Sequence, residues 1–403
     1  MIALAVAVVL GGTALQAAAQ SSVTLYGVVD DTIAYQSSQT TLGSTSGGRS
    51  NVKLSQGVAY GNRFGFKGRE DLGGGTAVAF QLESGFNLNT GASLYTGSMF
   101  GRQAWVGLTN PHYGTVSVGR QYISYFNLLS SYSPNIWLSG FYGAHPGDID
   151  ALDVGYRTNN AVMYTSPNWY GVTISATYAL AGVPGSINRG STWSGAVRYQ
   201  NGPIGMSAGI MRINNSTSGG GVFGAESTTS TGGESGVSAL TNGYQWAQGQ
   251  QRIAVGGGYK FNANWDVSMT YSNVQYIPGR NSGFTDAAIF NTAGAVLHWR
   301  ATPALNIAGG YAYTRATRAN GIKSAAQYQQ VSLAEIYSVS KRTNFYATQA
   351  FQRANGNTLG TPSATGVQAA QIIATPSIGD GFSSTPSSSR SLIAVGVGIT
   401  HSF

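Results

Sequence analysis

Charge is scarce in this sequence. Asp, Glu, Lys and Arg together make up 9% of the 403 residues, whereas a soluble domain carries roughly 25%. Beyond its N-terminus the chain also lacks any run of the ~20 apolar residues that a membrane-spanning helix needs. Because charge that faces lipid is costly, two classes remain. One is a β-barrel whose strands alternate between lipid and water, and the other is a polar secreted β-protein.

Cysteine is absent, which excludes a disulfide framework and lipid attachment through a cysteine. Residues 1–19 are predicted to be a signal peptide, because residues 1–10 are apolar and Ala17-Ala18-Ala19 fits a small-x-small cleavage site. Residues 20–403 then form one β-barrel domain. No Lys or Arg precedes the apolar stretch, unlike in an ordinary signal peptide, so a buried N-terminal helix is the alternative interpretation.

The net charge is positive, at +8, from 22 Lys and Arg against 14 Asp and Glu. A basic chain can bind nucleic acid when its basic residues cluster on one face. Here the longest basic cluster is Lys341-Arg342. The scattered pattern argues against a nucleic-acid partner and suits the lining of a pore that attracts anions.

Alternation with a period of two recurs along the chain and is the signal of a half-buried strand. In one example the apolar residues Val172, Ile174, Ala176 and Tyr178 are separated by Thr173, Ser175 and Thr177. Successive side chains of a strand point to opposite faces. Each such strand therefore has an apolar side and a polar or small-residue side.

Connections of two kinds separate these strands. Seven short ones carry turn residues and lie at 70–74, 110–114, 167–171, 200–203, 261–264, 302–305 and 340–344. Eight long ones are rich in Gly, Ser and Thr and lie around 37–51, 86–98, 122–155, 181–190, 213–249, 277–288, 316–326 and 355–389. Their alternation predicts an all-β fold, a sixteen-stranded antiparallel transmembrane barrel with short periplasmic turns and long extracellular loops. A barrel of that size encloses a water-filled channel.

Aromatic residues make up 11% of the chain. Several lie near predicted strand ends and fit the two aromatic girdles of a membrane barrel: Trp169, Tyr170, Trp193, Tyr199, Tyr259, Trp265, Trp299, Phe345 and Tyr346. One acid contradicts the alternation. Glu335 shares its face with Val331, Leu333 and Tyr337, so its carboxylate is expected to point outward unless a bulge intervenes or a neighbouring subunit covers it.

Short motifs are spread along nearly the whole predicted mature chain. They are SSVTLYGVVD at 21–30, RFGFKG at 63–68, EDLGGG at 70–75, GRQAWVGL at 101–108, GTVSVGRQY at 114–122, SKRT at 340–343 and HSF at 401–403. In this order they resemble the general porins of Gram-negative bacteria, in particular the beta-proteobacterial branch. The resemblance implies an outer-membrane homotrimer for passive diffusion of small hydrophilic solutes and ions. It also implies a constriction formed by an inward-folded third long loop.

The resemblance also implies partners. His401 and the terminal aromatic Phe403 resemble the signal that the barrel-assembly machinery reads, although a strand that simply ends on an apolar residue is the alternative. A chain of this kind is surrounded by outer-membrane lipids, including lipopolysaccharide. No cofactor and no nucleic acid is expected.

The basic side of the predicted constriction comes from arginines. Arg63, Arg102 and Arg157 match the basic wall of the family, and the alternation places the first two on the face opposite to Phe64 and Trp105. Lys67 shares the face of Arg63. Arg120 is a further candidate. An arginine at a strand end on the surface is the alternative for each.

The opposing carboxylates are expected to be Glu83 on a strand and three acids late in the third loop, Asp148, Asp150 and Asp153. Alternate carboxylates can bind Ca²⁺, but the Gly and distant Glu of a helical calcium loop are not in register here, so no metal is predicted. The excess of Arg over acids predicts a preference for anions.

Three other functions are alternatives for such a sequence. An enzyme needs a nucleophile and a positioned His, but the four His, at 112, 145, 298 and 401, show no suitable partners in sequence, so no enzyme is predicted. A secreted β-solenoid or adhesin would show a fixed repeat, which is missing. A substrate-selective channel would need an aromatic track, for which the third loop offers Tyr122, Tyr125, Phe126, Tyr132, Trp137, Phe141 and Tyr142.

Overall fold

The computed structural model describes residues 22–403 except 96, 139, 154, 224–226, 228–236, 363, 365 and 380–384. The predicted signal peptide lies outside these residues and stays a prediction. No helix in the described part of the chain is long and apolar enough to cross a bilayer.

Antiparallel strands make up most of the described chain. They are β1 (Ser22–Gln39), β2 (Arg49–Gln56), β3 (Arg63–Gly73), β4 (Thr76–Gly85), β5 (Gln103–Asn110), β6 (Gly114–Tyr122), β7 (Arg157–Thr165), β8 (Val172–Ala179), β9 (Thr192–Asn201), β10 (Ile204–Asn214), β11 (Gly249–Lys260), β12 (Trp265–Ile277), β13 (Ala288–Arg300), β14 (Leu305–Ala316), β15 (Gln327–Ser338), β16 (Thr343–Asn355), β17 (Asn357–Leu359), β18 (Gln371–Ile373), β19 (Ser377–Ile378), β20 (Thr385–Pro386) and β21 (Ser391–Ser402). The last long loop contains the two small pairs β17–β18 and β19–β20.

The other strands form one closed barrel. Each strand pairs with its neighbour in sequence, and β1 closes the cylinder by pairing with β21 from Val28–Ser402 to Gln36–Ala394. Both β2 and β3 pair with β1 and are two parts of one span, so the barrel has sixteen spans. The seven predicted turns lie between consecutive strands at one end. The predicted barrel is confirmed.

The second span begins earlier than the motif at Arg63 indicates. It starts at Arg49 and breaks between Gln56 and Arg63, so the first long loop is shorter than the predicted 37–51. The break is held by inward-facing Asp30, whose Oδ2 accepts the amide hydrogens of Ala59 at 2.8 Å and Tyr60 at 2.5 Å.

Side chains alternate around the wall as the period of two requires. On one row of paired residues, Ile174, Val197, Val255 and Tyr271 face outward and are 41–49% exposed. Their neighbours Ser175, Ala196, Ala254 and Ser272 face the lumen and are buried. Apolar side chains exposed along every strand suit a wall in contact with lipid.

Most side chains of the predicted aromatic girdles face outward. Trp265 and Trp299 stack with ring centroids 5.4 Å apart near the short turns, and Trp169 and Phe345 are exposed. Tyr346 is the exception among these predicted residues, because its side chain faces the lumen and its hydroxyl donates to Asp30 Oδ1 at 2.5 Å.

Glu335 faces outward, as the alternation predicts. The ladders of β15 with β14 and with β16 run without a bulge through this position. Its Oε2 accepts a hydrogen bond from Gln349 Nε2 on β16 at 3.1 Å. A bulge therefore does not resolve the exception, and a polar pair lies on the outer wall.

The third long loop folds into the barrel and contains short helices: α1 (Ser124–Leu129), α2 (Asn135–Leu138), α3 (Gly140–Gly143), and 3₁₀ turns at Ser130–Tyr132 and Pro146–Asp148. Helix α1 packs on β8 to β10, α2 on β13 to β15, and α3 on β15 and β16. The main core lies between this loop and the wall, where Tyr125, Leu129, Ile149 and Leu152 are fully buried.

Candidate pore constriction

Two arginines flank one carboxylate, and a third arginine lies beside them, where the third loop joins the wall. Arg102 Nε lies 2.6 Å from Glu83 Oε1, and Arg63 Nε lies 3.8 Å from Glu83 Oε2. Arg63 begins β3, Glu83 lies near the end of β4 and Arg102 directly precedes β5. The pairing of β3 with β4 sets Gly65 opposite Glu83. A Cβ at Gly65 would overlap the Tyr26 hydroxyl, which donates to Glu83 Oε2.

Tyrosines join the third arginine to this group. Tyr122, at the end of β6, accepts hydrogen bonds through its hydroxyl from Arg102 at 3.0 Å and from Arg157 at 2.6 Å. The guanidinium of Arg157 also lies 4.3 Å from the centroid of the Tyr122 ring, within cation–π range. Tyr95, from the second long loop, binds Arg157 Nη1 at 3.3 Å. We call Arg63, Arg102, Arg157, Glu83 and Tyr122 the arginine cluster.

The arginine cluster carries three guanidinium groups and one carboxylate, a net charge of two positive units. Arg102 and Arg157 are nearly buried, whereas a quarter of the Arg63 side chain is exposed. Buried charges are weakly screened. The cluster can therefore attract and orient an anion that passes along the lumen.

Two other predicted basic residues contact residues outside the arginine cluster. Lys67 shares a face with Arg63, and its ammonium lies 5.4 Å from the Tyr26 ring. Arg120 pairs with Ala104 on the β5–β6 ladder and donates to Gly101 O at 2.6 Å and Asn159 Oδ1 at 2.7 Å. A bulge next to Gly119 shifts the register here, so the alternation alone could not orient Arg120.

The three loop acids do not face the arginines. Asp150 Oδ2 lies 2.8 Å from His145 Nδ1 and accepts a hydrogen bond from Ser272 Oγ of β12 at 2.6 Å. Asp153 accepts the amide hydrogens of His145 and Asn135, and Asp148 Oδ1 accepts that of Asp153. Of the four expected acids, Glu83 is thus the one that the structure brings to the arginine cluster.

The sequence does not pair His145 with an acid, because a loop has no period that would place Asp150 beside it. Its side chain is fully buried. Burial disfavours the charged ring, but the carboxylate of Asp150 outweighs this and raises the pKa of His145. The loop therefore keeps a histidine–carboxylate pair against the barrel wall.

Trp137 anchors the tip of the third loop to the opposite wall. Its ring stacks on His298 of β13, with centroids 3.4 Å apart and an interplanar angle of 7°. Its Nε1 donates to Asp266 Oδ1 of β12 at 3.0 Å, and His298 Nδ1 lies 2.6 Å from Asp266 Oδ2. Asp266 is far from His298 in sequence but directly opposite it on the β12–β13 ladder. The hairpin register could have revealed this pair.

Comparison with known proteins agrees with this architecture. The sequence profile of a family described as Gram-negative porin matches residues 3–357, most of the chain. The chain belongs to the Gram-negative porin family. An outer membrane porin protein of Bordetella pertussis is 33% identical over 230 residues, covering 52% of this chain and 58% of the relative. Outer membrane porin protein 32 of Delftia acidovorans is 34% identical over 220 residues, with the same two coverages.

Solved porin structures match over a longer stretch. An anion-selective porin from Comamonas acidovorans superposes with a TM-score of 0.65 at 23% identity, over 95% of this chain and all of that one. OmpF of Salmonella typhi superposes with a TM-score of 0.55 at 17% identity, over 94% and 97% of the two chains. The sequence matches to the first two relatives, however, span little more than half their length. Family membership places this porin in the outer membrane.

Proposed function

We propose that this porin forms a water-filled channel through which ions and small hydrophilic solutes diffuse passively across the outer membrane, with a preference for anions. The arginine cluster carries the proposal. Charged groups that line a narrow passage set its ion preference, and this group has two positive charges in excess. A structural relative that is named as an anion-selective porin supports the same preference for anions.

Reversal potentials across planar bilayers in a salt gradient test this proposal. The wild-type channel is expected to prefer anions. Arg63→Gln should move the reversal potential toward the cation side, because Arg63 is the most exposed guanidinium of the arginine cluster. Arg342→Gln, in a short turn outside the lumen, is the matched control and should leave the potential unchanged. A cation-selective wild type, or equal potentials for the two variants, would contradict the proposal.

A substrate-selective channel is the second candidate, because the third loop is rich in aromatic residues. Their contacts favour packing instead. Tyr125 and Tyr142 are buried against the wall, and Trp137 is stacked on His298. Solute competition in the same bilayers separates the two, since a selective channel is blocked at low concentration by its own solute.

The proposal includes no catalysis. Thr270 Oγ1, His145 and Asp150 lie in a row with separations of 3.1 Å and 2.8 Å, the order of a nucleophile, a base and an orienting acid. All three side chains are buried between the loop and the wall, where no substrate reaches them. Hydrolysis assays with ester and amide substrates are expected to give no turnover.

Proposed partners follow from the outer wall. The Glu335–Gln349 pair is a polar group on a face that otherwise suits lipid, and contact with another copy would remove it from hydrocarbon, so the proposal includes a homotrimer. Lipopolysaccharide would surround the rest of the wall on the extracellular side. The barrel-assembly machinery would read His401 and Phe403. Chemical cross-linking in outer-membrane vesicles tests the trimer, and a ladder that ends at the monomer would contradict it.

A further inference from the structure

Three metal-ligating side chains meet inside the third loop, away from the arginine cluster. We propose that His145, Asp150 and Asp153 bind one divalent transition-metal ion of the Zn²⁺ class, which fastens the loop to the barrel wall. This inference rests on the loop geometry and not on the proposed ion preference, so either can fail without the other.

The separations suit a metal ion. One ligand atom from each residue lies within 4.8 Å of the others. His145 Nδ1 is 2.8 Å from Asp150 Oδ2 and 3.8 Å from Asp153 Oδ2. The ligand atoms of a tetrahedral zinc ion with bonds of about 2.1 Å lie roughly 3.4 Å apart, so an ion fits among these atoms after small shifts.

A second observation also points to a ligand. Asp150 Oδ1 is buried and has no hydrogen-bond partner among the described residues. A buried carboxylate oxygen without a partner is costly. A metal ion bound by Asp150 would give this oxygen the partner that it lacks. Asp150, Asp153 and His145 Nδ1 would then supply three ligands, and a water molecule would complete a four-coordinate shell.

The surroundings resemble the supporting shell of a metal site. The other ring nitrogen of His145, Nε2, lies 3.1 Å from Thr270 Oγ1, and Ser272 Oγ donates to Asp150 Oδ2. Metal-binding histidines are usually oriented through their second nitrogen, and ligating carboxylates are themselves hydrogen-bonded. Gly294 of β13 makes room for the ring, because a Cβ there would overlap His145 Nε2.

The mixture of donors selects the kind of ion. Ca²⁺ and Mg²⁺ prefer sites made of oxygen ligands alone, whereas one imidazole with carboxylates suits Zn²⁺ and Co²⁺. Binding displaces the proton shared by His145 Nδ1 and Asp150, and this proton passes to the solvent. Arg252 is a neighbouring positive charge of Asp150 and is held by a hydrogen bond from its Nε to Ile149 O at 3.0 Å.

Co²⁺ is the probe, because its visible absorption reports ligand geometry. The full chain is refolded in detergent with Co²⁺ so that the buried site loads as the loop closes, and it is then desalted. We expect one Co²⁺ per protomer with the strong visible bands of a four-coordinate ion. Loading should fall at least tenfold in Asp150→Asn and in Asp153→Asn. His298→Gln, which alters the other buried histidine–aspartate pair, is the matched control and should load fully.

Each outcome decides the proposal. Wild-type protein that keeps no more Co²⁺ than protein refolded with a chelator would overturn it, whether or not the variants fold. Weak bands of a six-coordinate ion on the surface would also overturn it. Resistance of the folded barrel to detergent at low temperature shows which variants fold, and for those, full loading without Asp150 or Asp153 would contradict the assignment of the ligands.

Discussion

Glu83 shows how much a single side chain decides at the constriction. Its two oxygens face Arg102 and Arg63, and its Oε2 also accepts a hydrogen bond from Tyr26 at 2.9 Å. It is nearly buried. Glu83 thus holds Arg102 and Arg63 together, and the partly exposed Arg63 presents its charge to the lumen.

We predict that Glu83→Gln increases the preference for anions. The amide oxygen of Gln can still accept from Arg102 Nε, so the shape is kept while one negative charge is lost. Loss of this charge is expected to favour anion over cation permeation by about 0.5 kcal/mol. This corresponds to a roughly twofold higher ratio of anion to cation permeability, which the reversal potential measures. Glu70→Gln, at the end of β3 near a short turn, should leave the ratio as it is. An unchanged or lower ratio for Glu83→Gln would show that Glu83 does not act on the lumen.

At the scale of elements, the third loop is held at several points of the wall. Trp137 docks on β12 and β13, Ser124 on β8 through Thr177 and Ser175, and Phe141 on the break of the second span through Val58 O. A loop with anchors from Ser124 to Phe141 is held against the wall along much of its length. Its position sets the width of the lumen.

We predict that Trp137→Ala releases the tip of the loop. The variant loses the stack on His298 and the hydrogen bond to Asp266, and a stacked aromatic pair is worth about 1 kcal/mol beyond its area. The open-channel current should become noisier, with brief larger-conductance states that single-channel recording detects. Trp169→Ala, in a short turn outside the lumen, removes the same side chain without touching the loop. Equal current noise in the two variants would rule out Trp137 as the anchor.

For the whole molecule, closure depends on the seam between the first and last strands. Gly27 and Phe403 exchange two backbone hydrogen bonds of 3.1 Å. The Phe403 ring lies over Gly27, where a Cβ would overlap it. The contact of Phe403 with Gly27 thus extends the seam between β1 and β21, so a change there affects closure of the barrel.

We predict that Phe403→Ala reduces the yield of folded barrel. Removing a half-exposed Phe side chain costs about 1 kcal/mol at either position. Phe403→Ala is expected to lower the yield further, because its ring also covers Gly27 at the seam. Phe351→Ala is the matched control, because Phe351 on β16 is also outward and both side chains are 44% exposed. Heat-modifiable mobility on gels after expression or refolding measures the folded fraction. If Phe403→Ala gives as much folded barrel as Phe351→Ala, Phe403 has no special role in closing the barrel.

The barrel itself was predictable from the sequence. Alternation tells which side chains face lipid, and it placed Arg63 and Glu83 inside and Glu335 outside. The two kinds of connection gave the number of spans. These features are local, because the period of a strand and the residues of a turn depend on a few neighbours in sequence.

The contacts of the loop residues could not be predicted from the sequence. Asp148, Asp150 and Asp153 were expected to face the arginines, but the fold turns them toward His145, backbone amides and the wall. The second strand's early start and the bulge that sets Arg120 apart were equally hidden. The sequence by itself determined the cylinder, since a repeating strand has a period that fixes the face of each side chain. Only the tertiary structure decided what fills the cylinder, because a loop has no period and its contacts come from distant strands.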